Sequence, residues 1–254
     1  MIRLYLDRGT ALHRLNPTAK LLAMALCCLA ALLDDDPAYL ALLMLLALGL
    51  LLLARAASHL RRLWFFIPIF FLLGLFFWTV FFGGTTPVVE LAGFTLYREP
   101  LMRALAVACR TSTFFLLGLT FLAVMPVEEF SAGLRSLGLP VAASLALTLA
   151  FRLMPLYMQS AATVLQAQKL RGLEPERGGL VARAKRTIPL LVPTTLSALR
   201  NIDLMAMALE SRGFGARRER SEFIRYPWRG ADTIALLIPA LLIALALYRL
   251  WSAP

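Results

Sequence analysis

The feature that most constrains the fold of this chain is a series of long apolar runs separated by short polar stretches. A transmembrane helix needs about 20 predominantly apolar residues to cross a hydrocarbon core of about 30 Å. Five segments approach or reach that length, and 60% of the 254 residues are hydrophobic. The sequence therefore predicts an all-α polytopic membrane protein with about five transmembrane helices, at residues 17–33, 38–54, 63–82, 101–125 and 233–248.

The basic residues are distributed unevenly around these runs. Of 26 Lys and Arg residues, fifteen lie in 126–229, four lie in the first 20 residues and three lie in 55–62. Cytoplasmic loops of membrane proteins carry an excess of Lys and Arg. We therefore expect a multi-pass protein of the bacterial cytoplasmic (inner) membrane, with its N-terminus and residues 126–229 in the cytoplasm. The net charge of +11 flanks apolar segments, so it does not indicate a nucleic-acid partner.

Residues 126–229 mix charge with apolar periodicity and predict three helices. Acids open the first and Gly138 follows it, which is a normal helix start and stop. The two long helices carry thin polar stripes on otherwise apolar surfaces, so they need lipid or another helix as a partner. The three predicted helices run from Val127 to Leu137, from about Val141 to Leu170, and from about Leu180 to Ser211.

Two apolar stretches in this region are not predicted to span. Residues 139–151 would form about 20 Å of helix, less than the core thickness. Residues 188–209 carry Arg200 and Asp203, each of which costs about 2.5–3.5 kcal/mol at the bilayer centre. We therefore divide one membrane domain into three parts: a four-helix transmembrane part (1–125), a cytoplasmic helical region (126–229) and a last transmembrane helix (230–254).

Both long helices of the cytoplasmic region end on the same Arg-Gly step. The endings are Leu170-Arg171-Gly172 and Ser211-Arg212-Gly213. A C-terminal cap explains either ending alone, since Arg favours the helix dipole and Gly favours the left-handed conformation. The same ending on two long helices indicates a binding role as well, because the planar guanidinium of Arg suits carboxylates at an interface. We expect these six residues to grip two similar partners.

Other charged groups are weaker candidates. Asp34-Asp35-Asp36 is more typical of a solvated turn than of a cation site. Arg103 and Arg110 lie in an apolar run, where charges are functional suspects by default. Arg103 is explained if the span begins nearer Val107, whereas the role of Arg110 stays open.

The sequence indicates no catalytic, cofactor or metal site in this chain. Its three cysteines lie in apolar runs and have no zinc-type spacing to histidine. It has no G-x-x-x-x-G-K-[ST] motif, so the chain is not expected to bind nucleotide phosphates in a P-loop. We therefore expect a non-catalytic chain.

Four motifs in this sequence resemble those of a known protein family. They are "LHRLNPTAKLL" at 12–22, "GLRSLGLP" at 133–140, "LAFRLMPLYMQ" at 149–159, and the paired Arg-Gly endings. With these motifs the chain resembles the transmembrane T component of energy-coupling factor (ECF) transporters, the EcfT, CbiQ and BioN family. In this family the two motifs are most often Ala-Arg-Gly, so Leu170 and Ser211 of this chain depart from the family pattern.

The resemblance implies a function and partners. The chain would be the scaffold of an importer for a vitamin or a transition-metal ion. Two cytoplasmic ABC ATPase subunits would dock on the coupling helices, with Arg171 and Arg212 each in a groove of one ATPase. Their movement would reach a small, separate substrate-binding membrane protein, the S component, within the lipid bilayer.

Two other classes compete with this interpretation. A permease subunit of a conventional ABC importer also couples to ATPases, but through a single cytoplasmic loop per subunit. A lipid-modifying membrane enzyme would need clustered acids or histidines at the membrane face. Asp203 and Glu210 lie seven residues apart on one predicted helix face, without such a cluster.

Overall fold

The structure, a computed structural model, describes residues 10, 12–55, 65–81, 87–91, 94–172, 179–215 and 226–252. In these ranges the chain forms eight helices and one two-stranded antiparallel hairpin. The chain divides into two compact units: Met1–Pro140 with Tyr226–Pro254, and Val141–Arg225. The predicted all-α class is confirmed, and the hairpin of Pro87–Leu91 (β1) and Phe94–Tyr97 (β2) is its one exception among the described residues.

The first unit contains six of the helices. The predicted spans 17–33 and 38–54 are observed with the same or nearly the same bounds, and the last span is longer than predicted at both ends. Residues 63, 64 and 82 of the predicted third span lie outside the described residues. The observed helices are Pro17–Leu33 (α1), Pro37–Leu53 (α2), Phe66–Phe81 (α3), Arg98–Val124 (α4), Val127–Ser136 (α5) and, after the second unit, Gly230–Ser252 (α8).

The second unit contains the two long helices predicted for the middle region. They are Val141–Leu170 (α6) and Leu180–Ser211 (α7), and they contact each other. The first unit also includes α5, which packs on α1. The two compact units meet in the chain between Pro140 and Val141. The division at residue 126 into a membrane part and a cytoplasmic part stays a prediction.

Three described helices are long and apolar enough to cross a membrane. They are α4 with 27 residues, α6 with 30 and α8 with 23, while α1 and α2 are shorter apolar helices. Helix α6 continues the stretch 139–151 without a break, so the argument that this stretch is too short to span does not hold. Helix α7 is not among these helices, in agreement with the exposed Arg200 and Asp203 near its middle.

Helix α8 has the pattern of a complete membrane span. It has 23 residues, about 34 Å at a rise of about 1.5 Å per residue. Trp228 precedes it and Trp251 lies in its last turn, with 52% and 87% of their surfaces exposed. Tryptophan is enriched at the two membrane–water interfaces, so the two rings match the expected positions of the headgroup layers.

Helix α4 lies at the centre of the first unit and contacts α1, α2 and α3. A stripe of small residues on this helix, Ala104, Ala108 and Ser112, is fully buried. A Cβ built at Gly74 of α3 would lie 3.4 Å from the Cβ of Ala108. Close backbone approach through small residues is the usual packing between membrane helices, and α3 and α4 pack in this way at Gly74 and Ala108.

The turn between α1 and α2 is an ion-pair cluster, and the prediction of a simply solvated turn is wrong for Asp34. Arg110 donates from Nε to the Ala31 carbonyl and from Nη2 to the Asp34 carbonyl, each at 2.8 Å, and pairs with Asp35. Asp34 is only 9% exposed. Arg249 pairs with Asp36. Arg110 therefore satisfies carbonyls left open at the end of α1, which gives this residue a structural role.

The start of α1 is tied to α8 through a buried carboxylate. Asp232 is fully buried, and its two oxygens accept the backbone N–H of Asn16 at 2.7 Å and of Arg229 at 2.6 Å. Asn16 also donates from Nδ2 to the Tyr226 carbonyl and caps α1 by accepting the N–H of Thr18. Backbone N–H donors and the N-terminus of α8 together stabilise the negative charge of Asp232.

The same turn of α1 holds α4 and α5. Lys20 is 8% exposed, and its Nζ lies 2.7 Å from Glu129 and 2.9 Å from the His13 carbonyl. A Cβ at Gly133 of α5 would lie 2.7 Å from Leu21 Cδ1 and 3.1 Å from the Pro17 carbonyl oxygen. We call this set the N-terminal junction; its residues are Asn16, Lys20, Glu129, Gly133 and Asp232.

We predict that Gly133→Ala destabilises the protein. The new methyl group would overlap Leu21 and push α5 away from α1, at a cost of about 1–3 kcal/mol. Gly118→Ala is the matched control, because a Cβ there meets nothing within 4 Å. Thermal unfolding in detergent, followed by loss of the monodisperse peak, should show a lower midpoint for Gly133→Ala only. Equal midpoints for the two variants would contradict the close contact at Gly133.

We also predict that Asp232→Asn lowers stability by about 1–3 kcal/mol. An amide has one acceptor oxygen, so its NH₂ group would face one of the two N–H donors that the carboxylate now accepts. Asp203→Asn removes a carboxylate that is exposed in the structure and is expected to change stability little. The same unfolding measurement checks both variants, and a native-like midpoint for Asp232→Asn would refute the capping role of this carboxylate.

Candidate functional site

The ends of α6 and α7 carry the six residues singled out in the sequence. At the end of α6, the N–H of Arg171 donates to Gln168 at 3.1 Å and the N–H of Gly172 donates to Lys169 at 3.0 Å. Gly172 has φ +87°. This is the left-handed conformation that glycine adopts at low cost just after a helix. The C-terminal cap predicted here is confirmed.

The end of α7 forms a complete cap of the same type. The N–H of Gly213 donates to Glu210 and the N–H of Phe214 donates to Leu209, both at 2.9 Å. These two bonds define the Schellman motif. Gly213 has φ +77°, so Gly213, like Gly172, satisfies a conformational requirement of the helix end.

A third helix shows that this cap does not need arginine. Helix α5 ends on Leu137-Gly138, with Gly138 at φ +107°. The N–H of Gly138 donates to Arg135 and the N–H of Leu139 donates to Leu134, both at 3.0 Å. The same cap therefore forms with leucine before the glycine. The local structure explains Gly172 and Gly213, but it does not explain Arg171 and Arg212.

Both arginine side chains are exposed and available. Arg171 and Arg212 are exposed, and within the described ranges neither guanidinium forms a hydrogen bond or an ion pair. A guanidinium presents five N–H donors in a rigid fork that matches a carboxylate. The two helix ends therefore offer unused donor groups to a partner with acidic residues.

The first residue of each ending differs in what it presents. Leu170 is 91% exposed, so it adds a bulky apolar side chain next to Arg171. The hydroxyl of Ser211 donates to the Ala208 carbonyl at 2.9 Å. Ser211 therefore uses its polar group within the helix and presents a small surface, much as alanine would.

The backbone positions of the two arginines are well separated. Helix α7 has 32 residues, about 48 Å in length. Arg171 and the first residue of α7, Leu180, are joined by nine Cα–Cα steps, which span at most about 32 Å. Arg212 follows the far end of α7, so at least about 15 Å separates it from Arg171. The arrangement fits two docking points rather than one.

The helices that carry these ends have large uncovered apolar surfaces. Only 6% of the most apolar stretch of α6 is buried, against 50% for α4. Surfaces of this size mark contacts with lipid or with another protein. The largest exposed apolar side chains include Phe151, Met154 and Met158 on α6 and Leu191, Val192, Leu204 and Met207 on α7.

Two of the motif segments identified in the sequence meet in the N-terminal junction. Segment 12–22 contains Asn16 and Lys20, and segment 133–140 begins with Gly133 and leads directly into α6 at Val141. Sequence reasoning missed Lys20, Glu129 and Asp232 as junction residues. The available signal was a charged residue at the edge of an apolar run, which predicts a partner but does not name it.

No metal site is present among the described residues. They contain no group of three or more His, Cys, Asp or Glu side chains that could hold a metal ion. The cysteines Cys27, Cys28 and Cys109 are free thiols. The acidic turn at Asp34–Asp36 is used by Arg110 and Arg249, as described above.

Comparison with known proteins gives consistent matches. The family profile "CbiQ: Cobalt transport protein" matches residues 8–222. The "Energy-coupling factor transporter transmembrane protein EcfT" of Listeria innocua serovar 6a is 33% identical over 188 residues, which are 70% of this chain and 71% of that protein. The protein of the same name in Staphylococcus aureus is 31% identical over 175 residues, 63% of each chain.

A further EcfT protein, from Limosilactobacillus fermentum, is 31% identical over 113 residues. That match covers 44% of this chain and 42% of the relative, so the chain spans less than half the length of that protein. The family profile, by contrast, covers all the segments that form α1 to α7. The chain therefore belongs to the CbiQ cobalt transport protein family, which agrees with the resemblance to ECF transporter transmembrane components found in the sequence.

Proposed function

We propose that this chain is the transmembrane scaffold of an ECF-type importer and that it couples ATP hydrolysis to transport. The observation that carries the proposal is the pair of exposed arginines at the ends of α6 and α7, neither of which has a partner among the residues that the structure describes. Their glycines are required by the helix caps, whereas the arginines are not. In a membrane protein of this family, docking of partner subunits is the function that uses them.

The partners that fit the two arginines are two cytoplasmic ABC ATPase subunits. Each guanidinium would lie in a groove of one ATPase and bind a carboxylate there through paired N–H···O bonds. The minimum separation of about 15 Å between the arginines supports one subunit at each helix end. ATP is bound by these subunits and not by this chain.

Movement of the ATPases would be carried by α6 and α7 as rigid levers. Closure of the ATPase pair on ATP would pull the two arginine ends and change the relative position of the helices. The uncovered apolar surfaces of α6 and α7 would contact the S component and the bilayer. The S component would then tip and release its cargo, a vitamin or a transition-metal ion.

The topology follows from the same proposal. The N-terminus and residues 126–229 would lie on the cytoplasmic side of the bacterial inner membrane, as the fifteen basic residues of this region favour. Helix α6 is long and apolar enough to span, so this topology requires α6 to lie along the membrane surface instead of crossing the bilayer. The ends of α6 and α7 are then accessible to cytoplasmic ATPases. Substrate specificity belongs to the S component.

We predict that Arg171→Ala and Arg212→Ala each weaken ATPase docking about 10- to 100-fold. This range corresponds to the loss of one charge-assisted interaction worth about 1.5–3 kcal/mol. Arg152→Ala is the matched control, because Arg152 is also exposed on α6 but lies away from its end. The ATPase recovered per chain in pull-downs and the uptake by intact cells are the two measurements.

The lysine variants Arg171→Lys and Arg212→Lys keep the charge but lose the planar fork. They should retain binding between that of native protein and that of the alanine variants. The proposal fails if both alanine variants co-purify with ATPases and support uptake as well as Arg152→Ala does. Unchanged thermal midpoints are expected in all these variants, since the caps depend on Gly172 and Gly213.

The number of copies in the complex separates this function from that of a conventional ABC permease subunit. Two arginine ends on one chain predict one copy of this chain for each pair of ATPase subunits. A conventional importer would contain two permease subunits for the same pair. Mass measurement of the intact purified complex decides between the two stoichiometries, and two copies per ATPase pair would contradict the proposal.

A further inference from the structure

The first unit contains an apolar cavity that the proposed coupling function does not use. Its volume is about 330 Å³, and it lies between α1, α2, α4 and α8. All four helices belong to the same compact unit. Its walls are formed by aliphatic, aromatic and sulfur-containing side chains, including Met24, Cys27, Leu50, Phe121, Ala235 and Ile238.

A second, polar cavity adjoins the first at the start of α1. Its volume is about 410 Å³, and its lining includes His13, Arg14, Tyr226 and Arg229. Leu15 lines both cavities. The two cavities are therefore neighbours, with Leu15 in the wall of each.

The Lys20–Glu129 ion pair also lies next to both cavities. Lys20 lines the apolar cavity, and its Nζ lies 2.7 Å from Glu129, which lines the polar one. The ammonium group of Lys20 thus marks the boundary between apolar and polar surroundings. A ligand that extends across this boundary must itself be amphiphilic.

The polar cavity has an excess of positive charge. Glu129 lines it, but this carboxylate is paired with Lys20. Arg14 and Arg229 are exposed, and no acid pairs with either guanidinium in the described part of the chain. Two guanidinium groups therefore remain for an anion, and such groups bind phosphate through paired N–H···O bonds.

The hydroxyl of Tyr226 adds a neutral donor to this site. Burial raises the pKa of Tyr226, and the nearby carboxylates of Glu129 and Glu128 raise it further. A tyrosine phenol is protonated at neutral pH, so its O–H is a hydrogen-bond donor that a phosphate oxygen can accept. The carboxylates of Glu129 and Glu128 near this phenol repel an anion. An anion is therefore favoured only where it lies close to the guanidinium groups of Arg14 and Arg229.

We propose that the two cavities together bind one anionic phospholipid of the phosphatidylglycerol type. An acyl chain would occupy the apolar cavity, and the phosphate would lie between Arg14 and Arg229. Basic pockets between membrane helices on the cytoplasmic side are suited to anionic headgroups, which are concentrated in that leaflet. A zwitterionic lipid would bring its own ammonium group towards the two guanidinium groups, and an apolar helix would leave them unused.

The headgroup part of the proposal is tested by the double variant Arg14→Gln/Arg229→Gln. The full-length chain is purified in mild detergent, and bound phosphatidylglycerol and phosphatidylcholine are titrated by mass spectrometry of the intact protein. Native protein should retain one phosphatidylglycerol in preference to phosphatidylcholine. The double variant should bind phosphatidylglycerol about thirtyfold more weakly, because each basic residue near anionic lipid contributes about 1 kcal/mol.

Arg98→Gln is the matched control for charge. Arg98 is exposed at the start of α4, about 35 Å along that helix from Phe121 in the cavity wall. It should bind phosphatidylglycerol as native protein does. Native-like binding by the double variant, or an equal loss in Arg98→Gln, would overturn the assignment of the headgroup to Arg14 and Arg229.

The acyl-chain part is tested by filling the apolar cavity. Ala235→Phe introduces a phenyl ring into the cavity from α8. Leu241→Phe is the control, because it introduces a phenyl ring on the same helix at a side chain that is 74% exposed. Only Ala235→Phe should lose the retained lipid. Retention of lipid by Ala235→Phe, or cross-linking of a partner peptide in place of lipid, would overturn the proposal. The double arginine variant tests the site independently, since both arginines are exposed.

Discussion

The buried carboxylate of Asp232 is the interaction on which the arrangement of the first unit most depends. It joins the start of α1 to the start of α8, across a separation of 216 residues, through the N–H of Asn16. A carboxylate removed from water must be compensated, and here two backbone N–H groups and a helix N-terminus do so. The last helix of the chain is therefore fixed against the first by a charge with few alternative positions.

The other members of the N-terminal junction fix α5 against α1, and α5 is the helix that precedes the proposed coupling helix α6. Lys20 is buried and pairs with Glu129 of α5, while Gly133 lets α5 approach the backbone of α1. Helix α5 leads through Pro140 directly into α6. A force applied at Arg171 would thus enter the membrane helices through a segment held by an ion pair and a close backbone contact. Such a segment transmits movement because it has little freedom to absorb it.

Much of this fold could be predicted from local signals. Asn16-Pro17, Gly138, Gly172 and Gly213 mark helix ends at which the chain itself supplies the cap, so the helix bounds were accessible from the sequence. Pairs between distant charges were not. Lys20 and Glu129 are separated by 109 residues, and Arg110 meets the turn at Asp34–Asp35 only after α1 and α4 have packed. The solvated turn was predicted wrongly for the same reason: burial of Asp34 depends on helices far away in the sequence.

At the candidate coupling site, the helix caps require the glycines but not the arginines. Three of the described helices end in a left-handed glycine, and in each the glycine N–H donates to the carbonyl three residues before it. One of them has leucine before the glycine and two have arginine. A guanidinium exposed to water at a helix C-terminus contributes to stability only through the helix dipole, by about 0.3–1 kcal/mol. The proposed docking of partner subunits gives the charge at both ends a use that the helix caps do not.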